Sequence, residues 1–147
     1  MDRLSRRWVF AVLILAGLPL SACTGHDAAA HKEHPSEVSK IEGSELSRVT
    51  LTEKAMQRID LRTTSVREQG TDGSARLAVP YSSLIYDPSG RTWVYTSPQP
   101  RTFVRQQVQV DRIEGDWVLL SDGPAVGTEV ASVGVAQLYG SETGVGH

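Results

Sequence analysis

Residues 103–120 read FVRQQVQVDRIEGDWVLL and carry the clearest strand pattern in the chain. From residue 103 to residue 110 apolar and polar side chains alternate, a period of two that predicts a half-buried β-strand. The alternation divides the side chains between two faces: Val104, Val108 and Val110 on one, Arg105, Gln107 and Gln109 on the other. Glu114-Gly115-Asp116 then predicts a hairpin turn that leads into a second strand over residues 117–120.

Turn signals divide the flanking sequence into further short strands. Pro80 ends the strand predicted over residues 77–79, because proline cannot donate to a sheet ladder. Residues 87–90, Asp-Pro-Ser-Gly, place proline and glycine where a β-turn favours them. A turn at residues 122–124 precedes another strand at residues 129–133. Short strands with this spacing predict an all-β fold, either a small barrel or a sandwich.

One short helix is predicted ahead of these strands. The Thr52 hydroxyl is placed to accept from the first free backbone N–H groups of a helix over residues 53–58. Ala55, Met56 and Ile59 give this helix an apolar side, and a strand is predicted at residues 61–66. We expect one folded domain over residues 48–140, which is long enough for a single core.

The N-terminus has the layout of a secretory signal. Arg3, Arg6 and Arg7 precede an unbroken apolar run over residues 8–18, which small residues follow. The run is shorter than the ~20 residues that a membrane-spanning helix needs. Leu20-Ser21-Ala22-Cys23 resembles the lipobox of bacterial lipoproteins, which implies a signal peptide over residues 1–22 and a lipid-modified Cys23 that attaches the chain to a membrane. A plain secretory signal is the alternative.

Charge and cysteine content narrow the choice of partners. Residues 1–22 carry three of the 15 basic and one of the 17 acidic side chains, so the rest of the chain has 12 basic and 16 acidic side chains, a net charge of −4. This balance gives no electrostatic reason to expect a nucleic-acid partner. Cys23 is the single cysteine, so once it carries lipid no thiol remains for a disulfide or a zinc site.

Residues 23–47 are polar and show no sustained apolar period, which predicts a flexible tether. The tether holds His26, His31 and His34, and imidazole suits transition metals such as Zn²⁺, Cu²⁺ or Ni²⁺. Because a flexible chain must lose backbone entropy to gather its ligands, we expect any such metal to bind weakly, and we expect no other cofactor. Residues 141–147 are predicted to form a disordered tail.

The folded region resembles a known family. Its matching pieces are Val79-Pro80-Tyr81-Ser82-Ser83-Leu84-Ile85, Gly90-Arg91-Thr92-Trp93-Val94-Tyr95, the alternating residues 103–110, and Gly123 to Ala131. In order and spacing they look like the membrane-proximal, C-terminal domain of periplasmic adaptors, or membrane fusion proteins, of tripartite RND-type efflux systems, with the heavy-metal branch nearest. The resemblance implies a circularly permuted SH3-like β-barrel.

The chain also departs from that family. In full adaptors a lipoyl-like domain, usually a helical hairpin, and a second β-barrel lie between the segments that match residues 49–66 and 79–138. Here the nine residues 67–75 take their place. The resemblance therefore covers the piece that lies beside the inner-membrane pump and excludes the parts that reach the outer-membrane channel.

These patterns predict a non-enzymatic accessory component of an efflux system. Its expected partners are the inner-membrane pump or a full-length adaptor, and its expected docking residues are Arg105, Gln107 and Gln109. A periplasmic metal-binding lipoprotein that uses the three tether histidines is the alternative. We expect no enzyme, because the sequence has no Ser-His-Asp, Cys-His, P-loop or GxGxxG arrangement.

The predicted location is the cell envelope, with the domain lipid-anchored and facing the periplasm. In the usual sorting rule, Asp after the modified Cys keeps a lipoprotein at the inner membrane, and Thr24 occupies that place. Thr24 thus favours the outer membrane, whereas the adaptor resemblance favours the inner one. The sequence leaves both membranes open.

Overall fold

The structure, a computed structural model, describes residues 34–70 and 75–144. Within these two ranges, eleven strands form two sheets. The larger sheet contains β1 (Ser36–Lys40), β2 (Ser47–Leu51), β3 (Arg62–Ser65), β6 (Ile85–Tyr86), β7 (Thr92–Gln99), β8 (Thr102–Gln107) and β11 (Glu129–Val133). The smaller sheet contains β4 (Arg67–Gln69), β5 (Arg76–Pro80), β9 (Gln109–Glu114) and β10 (Trp117–Asp122). The helical elements are α1 (Glu53–Arg58), α2 (Val135–Thr143) and a 3-10 turn (Tyr81–Ser83).

All the strand pairings among the described residues are antiparallel. The larger sheet has the order β1-β2-β8-β7-β11-β3, with β6 paired to β7, and the smaller has the order β4-β5-β10-β9. The prediction of a small all-β domain is confirmed. The finer prediction of an SH3-like barrel is not, because the described strands form two sheets and no closed barrel is detected among them.

The larger sheet separates two hydrophobic clusters. In β7 the side chains of Trp93 and Tyr95 belong to the first cluster, and that of Val94 belongs to the second. The first cluster also takes in Leu138 of α2, so the helices cover one face of this sheet. The second includes Val118 of β10, so the smaller sheet covers the other face. Because both faces of the larger sheet are covered at β7, the consecutive residues Trp93, Val94 and Tyr95 are all buried, although they belong to clusters on opposite faces.

Single valines mark two places where the chain passes from one sheet to the other. Val66 lies between β3 and β4, and Val108 lies between β8 and β9; each is 1% exposed and belongs to the second cluster. Their backbone groups are paired: Val66 N–H donates to Thr128 O at 2.8 Å, and Val108 N–H donates to Thr92 O at 3.0 Å. The prediction of one uninterrupted strand over residues 103–110 is therefore wrong at Val108, where the strand changes sheet.

Several local predictions are confirmed. Helix α1 spans the six predicted residues, and Thr52 Oγ1 accepts a hydrogen bond from Ala55 N–H at 3.1 Å. The predicted turn at residues 87–90 closes with a bond from Gly90 N–H to Asp87 O at 2.9 Å. Each of these features depends on residues close together in the sequence, which is why the sequence alone reveals them.

The predicted flexible tether over residues 23–47 is too long. Strand β1 pairs with all five residues of β2, from Ser36 opposite Leu51 to Lys40 opposite Ser47. Four of its five residues are exposed, so its order comes from the backbone ladder rather than from burial. That is the reason the polar composition did not reveal it. Cys23, His26 and His31 lie outside the described residues.

The C-terminal boundary is also corrected. The predicted disordered tail began at residue 141, but α2 continues to Thr143, and the described part of the fold has two α-helices where one was predicted. Leu138 is fully buried and the Glu142 side chain is 4% exposed, so α2 is held by packing and by a charge contact. Residues 145–147 lie outside the described part.

The turn from β11 into α2 needs a glycine. Gly134 has a φ of +76°, and a Cβ at this position would lie 2.9 Å from the carbonyl oxygen of Ile59. Ile59 caps the end of α1. The missing side chain thus lets the start of one helix approach the end of the other.

We predict that Gly134→Ala lowers the free energy of unfolding by about 2–4 kcal/mol, since the left-handed backbone costs ~1–2 kcal/mol and the Ile59 carbonyl must also move. The matched control is Gly127→Ala, where φ is +84° but no atom lies within 4 Å of the added Cβ. This control should lose only the conformational cost of about 1–2 kcal/mol. Urea unfolding of the two variants measures the difference, and equal losses would contradict the close helix contact.

Candidate functional site

The three predicted docking residues do not share one face of a strand. Arg105 lies within β8, Gln107 ends β8, and Gln109 begins β9 in the other sheet. Gln107 and Gln109 are exposed, on either side of the buried Val108. Their role in docking stays a prediction.

Arg105 has a different environment from the predicted one. Its side chain is 15% exposed, and its Nε lies 2.8 Å from Oε2 of Glu142 on α2. The Nε–H is not aligned for a hydrogen bond, so the contact is ionic. Tyr95 O–H donates to the same carboxylate oxygen. The Arg105 charge is therefore engaged inside the fold, and its role in docking stays a prediction.

Aromatic rings complete this buried cluster. The Arg105 guanidinium carbon lies 5.0 Å from the ring centroid of Trp93 and 5.6 Å from that of Tyr139, distances typical of cation–π contacts. Burial, followed by the bond to Glu142, raises the pKa of Tyr95 far above its usual value, so this phenol stays a proton donor. The cluster attaches the last turn of α2 to the centre of the larger sheet.

Three exposed side chains, two of them tyrosines, lie on the 3-10 turn, on β6 and at the end of β11. Tyr81 is 49% exposed, Tyr86 is 54% exposed and Val133 is 39% exposed. The Ser82 hydroxyl donates to the carbonyl oxygen of Ser132 at 2.7 Å and holds the turn against β11. We call Tyr81, Tyr86 and Val133 the tyrosine surface. Exposed tyrosines on neighbouring elements are typical of protein interaction surfaces.

The hairpin that carries Tyr86 is fixed by Asp87. Its Oδ1 accepts hydrogen bonds from the backbone N–H groups of Ser89 and Arg91 at 2.9 and 3.0 Å. Its Oδ2 accepts bonds from Arg91 Nε at 2.7 Å and Trp93 Nε1 at 3.1 Å. Burial opposes ionisation, but the bonds from Arg91, Trp93 and Ser89 outweigh it and lower the pKa of Asp87 to about 2. The β6–β7 turn therefore has a rigid, charged base.

A groove of about 630 Å³ lies between α1, α2 and the start of β1. We call it the α1–α2 groove. Its apolar lining consists of Pro35, Leu51, Ala55, Ile59, Ala136 and Tyr139. Arg58 is the one charged residue in the described lining, and it is exposed.

Neither helix in the described part of the chain has the length and apolar character that a membrane crossing requires.

The structure does not show how the three histidines predicted to bind metal are arranged. His34 is exposed at the start of the described region, and His26 and His31 lie outside it. Residues 34–70 and 75–144 contain no group of three or more His, Cys, Asp or Glu side chains placed to hold a metal ion. Metal binding by the three histidines stays a prediction.

The structure predicts a pH dependence that arises from Asp87. Its pKa is about 2 in the folded chain and roughly 4 in an unfolded one. The unfolded chain thus binds the proton more readily, and the stabilisation is complete above about pH 5 and is lost as the pH falls through 4 towards 2. We expect Asp87→Asn to flatten the melting temperature between about pH 2 and 5 and to lower it at pH 7 by on the order of 5 °C.

The matched control is Asp122→Asn, because Asp122 is exposed and makes no side-chain hydrogen bond or ion pair within the described part of the chain. Thermal unfolding at several pH values measures both variants. An unchanged acid limb in Asp87→Asn would show that the four bonds to this carboxylate do not persist in solution.

The buried ion pair yields a second prediction. Glu142→Gln leaves the Arg105 cation mostly buried without a counter-ion, so we expect a loss of about 2–4 kcal/mol in the free energy of unfolding. The double variant Arg105→Met, Glu142→Gln removes both charges and should lose less than the single variant. Glu114→Gln, which breaks an exposed pair with Arg112, is the control and should lose much less, because solvent screens that pair. Chemical denaturation of the single variants Arg105→Met and Glu142→Gln and of the double variant tests this. A double variant whose loss of unfolding free energy equals the sum of the two single losses contradicts a coupled pair.

Sequence patterns missed the residues that the structure brings together. Asp87 is a turn residue by its position, and nothing local indicates that Trp93 and Arg91 converge on it. Arg58 sits at the end of a short helix, with no local sign of a groove beside it.

No protein-family model matches the chain, and neither a curated protein nor a solved structure matches it.

Proposed function

We propose that this chain is a non-enzymatic docking module of the bacterial cell envelope, attached to a membrane through lipid on Cys23. In this proposal it is an accessory component of an efflux system and binds the inner-membrane pump or its full-length adaptor subunit. The domain faces the periplasm and acts by protein–protein contact.

The observation that carries the proposal is the exposure of Tyr81 and Tyr86. About half of each side chain is open to solvent, in the segment whose sequence resembles the membrane-proximal domain of periplasmic adaptors. Tyrosine gives a large contact area at a small cost in conformational entropy, so it is frequent at the centre of interfaces. The tyrosine surface is proposed in addition to the docking residues predicted from the sequence, Arg105, Gln107 and Gln109.

The rigid support of this surface favours a docking role. Asp87 holds the hairpin that carries Tyr86, and Ser82 holds the turn that carries Tyr81. A surface that is ordered before binding loses less entropy in the complex. Because β1 belongs to the fold, the domain also begins closer to Cys23 along the chain than the predicted tether placed it.

The test is a double substitution, Tyr81→Ala with Tyr86→Ala, in the full chain expressed beside the pump and adaptor of its own cell envelope. We expect co-purification of the pump or adaptor subunit to fall at least about tenfold, the effect of losing one interface hot spot. Stability should change by no more than roughly 1 kcal/mol, because both side chains are exposed.

The matched control is Ile113→Ala, an exposed apolar residue of β9 that is 50% exposed and lies in the other sheet. It should leave capture unchanged. Photo-crosslinking from positions 81 and 86 identifies the partner directly. Crosslinks that contain no efflux pump or adaptor subunit, or equal losses in all the variants, contradict the proposal.

A further inference from the structure

The α1–α2 groove has polar groups that are already satisfied. The Ser141 hydroxyl donates to Gln137 O at 3.0 Å and the Thr143 hydroxyl donates to Tyr139 O at 2.8 Å, both within α2. Pro35 O accepts from Thr52 N–H at 3.1 Å. These groups are engaged within the fold, and six of the twelve lining residues that the structure describes are the apolar ones named above.

Arg58 supplies the one charge among the lining residues that the structure describes. It lies in the last turn of α1 beside the apolar side chains of Ala55 and Ile59. Within the described part of the chain, no carboxylate forms an ion pair with its guanidinium. The described lining of the groove therefore combines apolar side chains with one exposed cation. The ligand that complements this arrangement has an apolar chain and one anionic end.

We propose that the α1–α2 groove binds a single-chain anionic amphiphile of the fatty-acid class. The acyl chain lies along Ile59, Ala136 and Tyr139, and the carboxylate pairs with Arg58. A volume of about 630 Å³ falls within the roughly 300–1,000 Å³ of small-molecule sites. This binding does not depend on the docking function, because the tyrosine surface is formed by other elements.

The test titrates the full chain with decanoate below its micellar concentration and measures heat and amide chemical shifts. The protein is kept in an amphipathic polymer, since detergent monomers would themselves compete for the groove. We expect saturable 1:1 binding, with shifts concentrated at the lining residues. Decanol, which has the same chain length and no charge, should bind about three- to fivefold more weakly, the effect of one exposed ion pair.

Two variants locate the site. Arg58→Gln should weaken decanoate binding about three- to fivefold and leave decanol unchanged, whereas Lys54→Gln, one turn earlier on α1 and outside the groove lining, is the matched control and should have no effect. Ala136→Phe fills the groove from an exposed position and should weaken both ligands by about tenfold or more.

The outcomes separate this inference from the docking proposal. Absence of saturable decanoate binding, or equal weakening by Arg58→Gln and Lys54→Gln, overturns the groove assignment and leaves capture of the pump or adaptor unaffected. Normal near-ultraviolet circular dichroism of Ala136→Phe shows that the variant is folded. Binding that persists in this folded variant also overturns the assignment.

Discussion

The architecture depends on burying two backbone crossings between sheets. Val66 and Val108 each carry the chain from the larger sheet to the smaller one, and both side chains belong to the cluster between the layers. A crossing places peptide groups in an apolar interior, where an unpaired N–H or C=O is costly. The bonds to Thr128 and Thr92 remove that cost. Each valine thus lies where the chain passes between the sheets and also fills part of the core between them.

The sequence was informative wherever a feature depends on neighbouring residues. The Thr52 cap, the turn after Asp87 and the end of β5 at Pro80 each follow from the chemistry of four or five adjacent positions. The alternation around Val108 also predicted burial correctly. It left the sheet unspecified, since the same period of two continues through the crossing.

What the sequence did not reveal depends on distant residues. Strand β1 is ordered by its ladder with β2, and no apolar period marks such an exposed edge. Arg105 has the pattern of a solvent-facing strand residue, yet Glu142, 37 positions later, neutralises it inside the fold. A period reports which side of a strand a residue occupies. Whether a later helix covers that side depends on tertiary packing. For Arg105, helix α2 covers the side chain and supplies the carboxylate of Glu142.

The β4–β5 hairpin has a consequence for how such a domain changes during evolution. Gln69 and Arg76 are paired directly across it, so the two ends of the connection lie about one strand spacing apart, ~5 Å. A module whose own termini are adjacent can be spliced in or excised at such a point without disturbing either sheet. Loss or gain of whole domains at residues 70–75 would then leave the packing of the core unchanged. Shorter and longer descendants of one ancestor could keep the same two sheets.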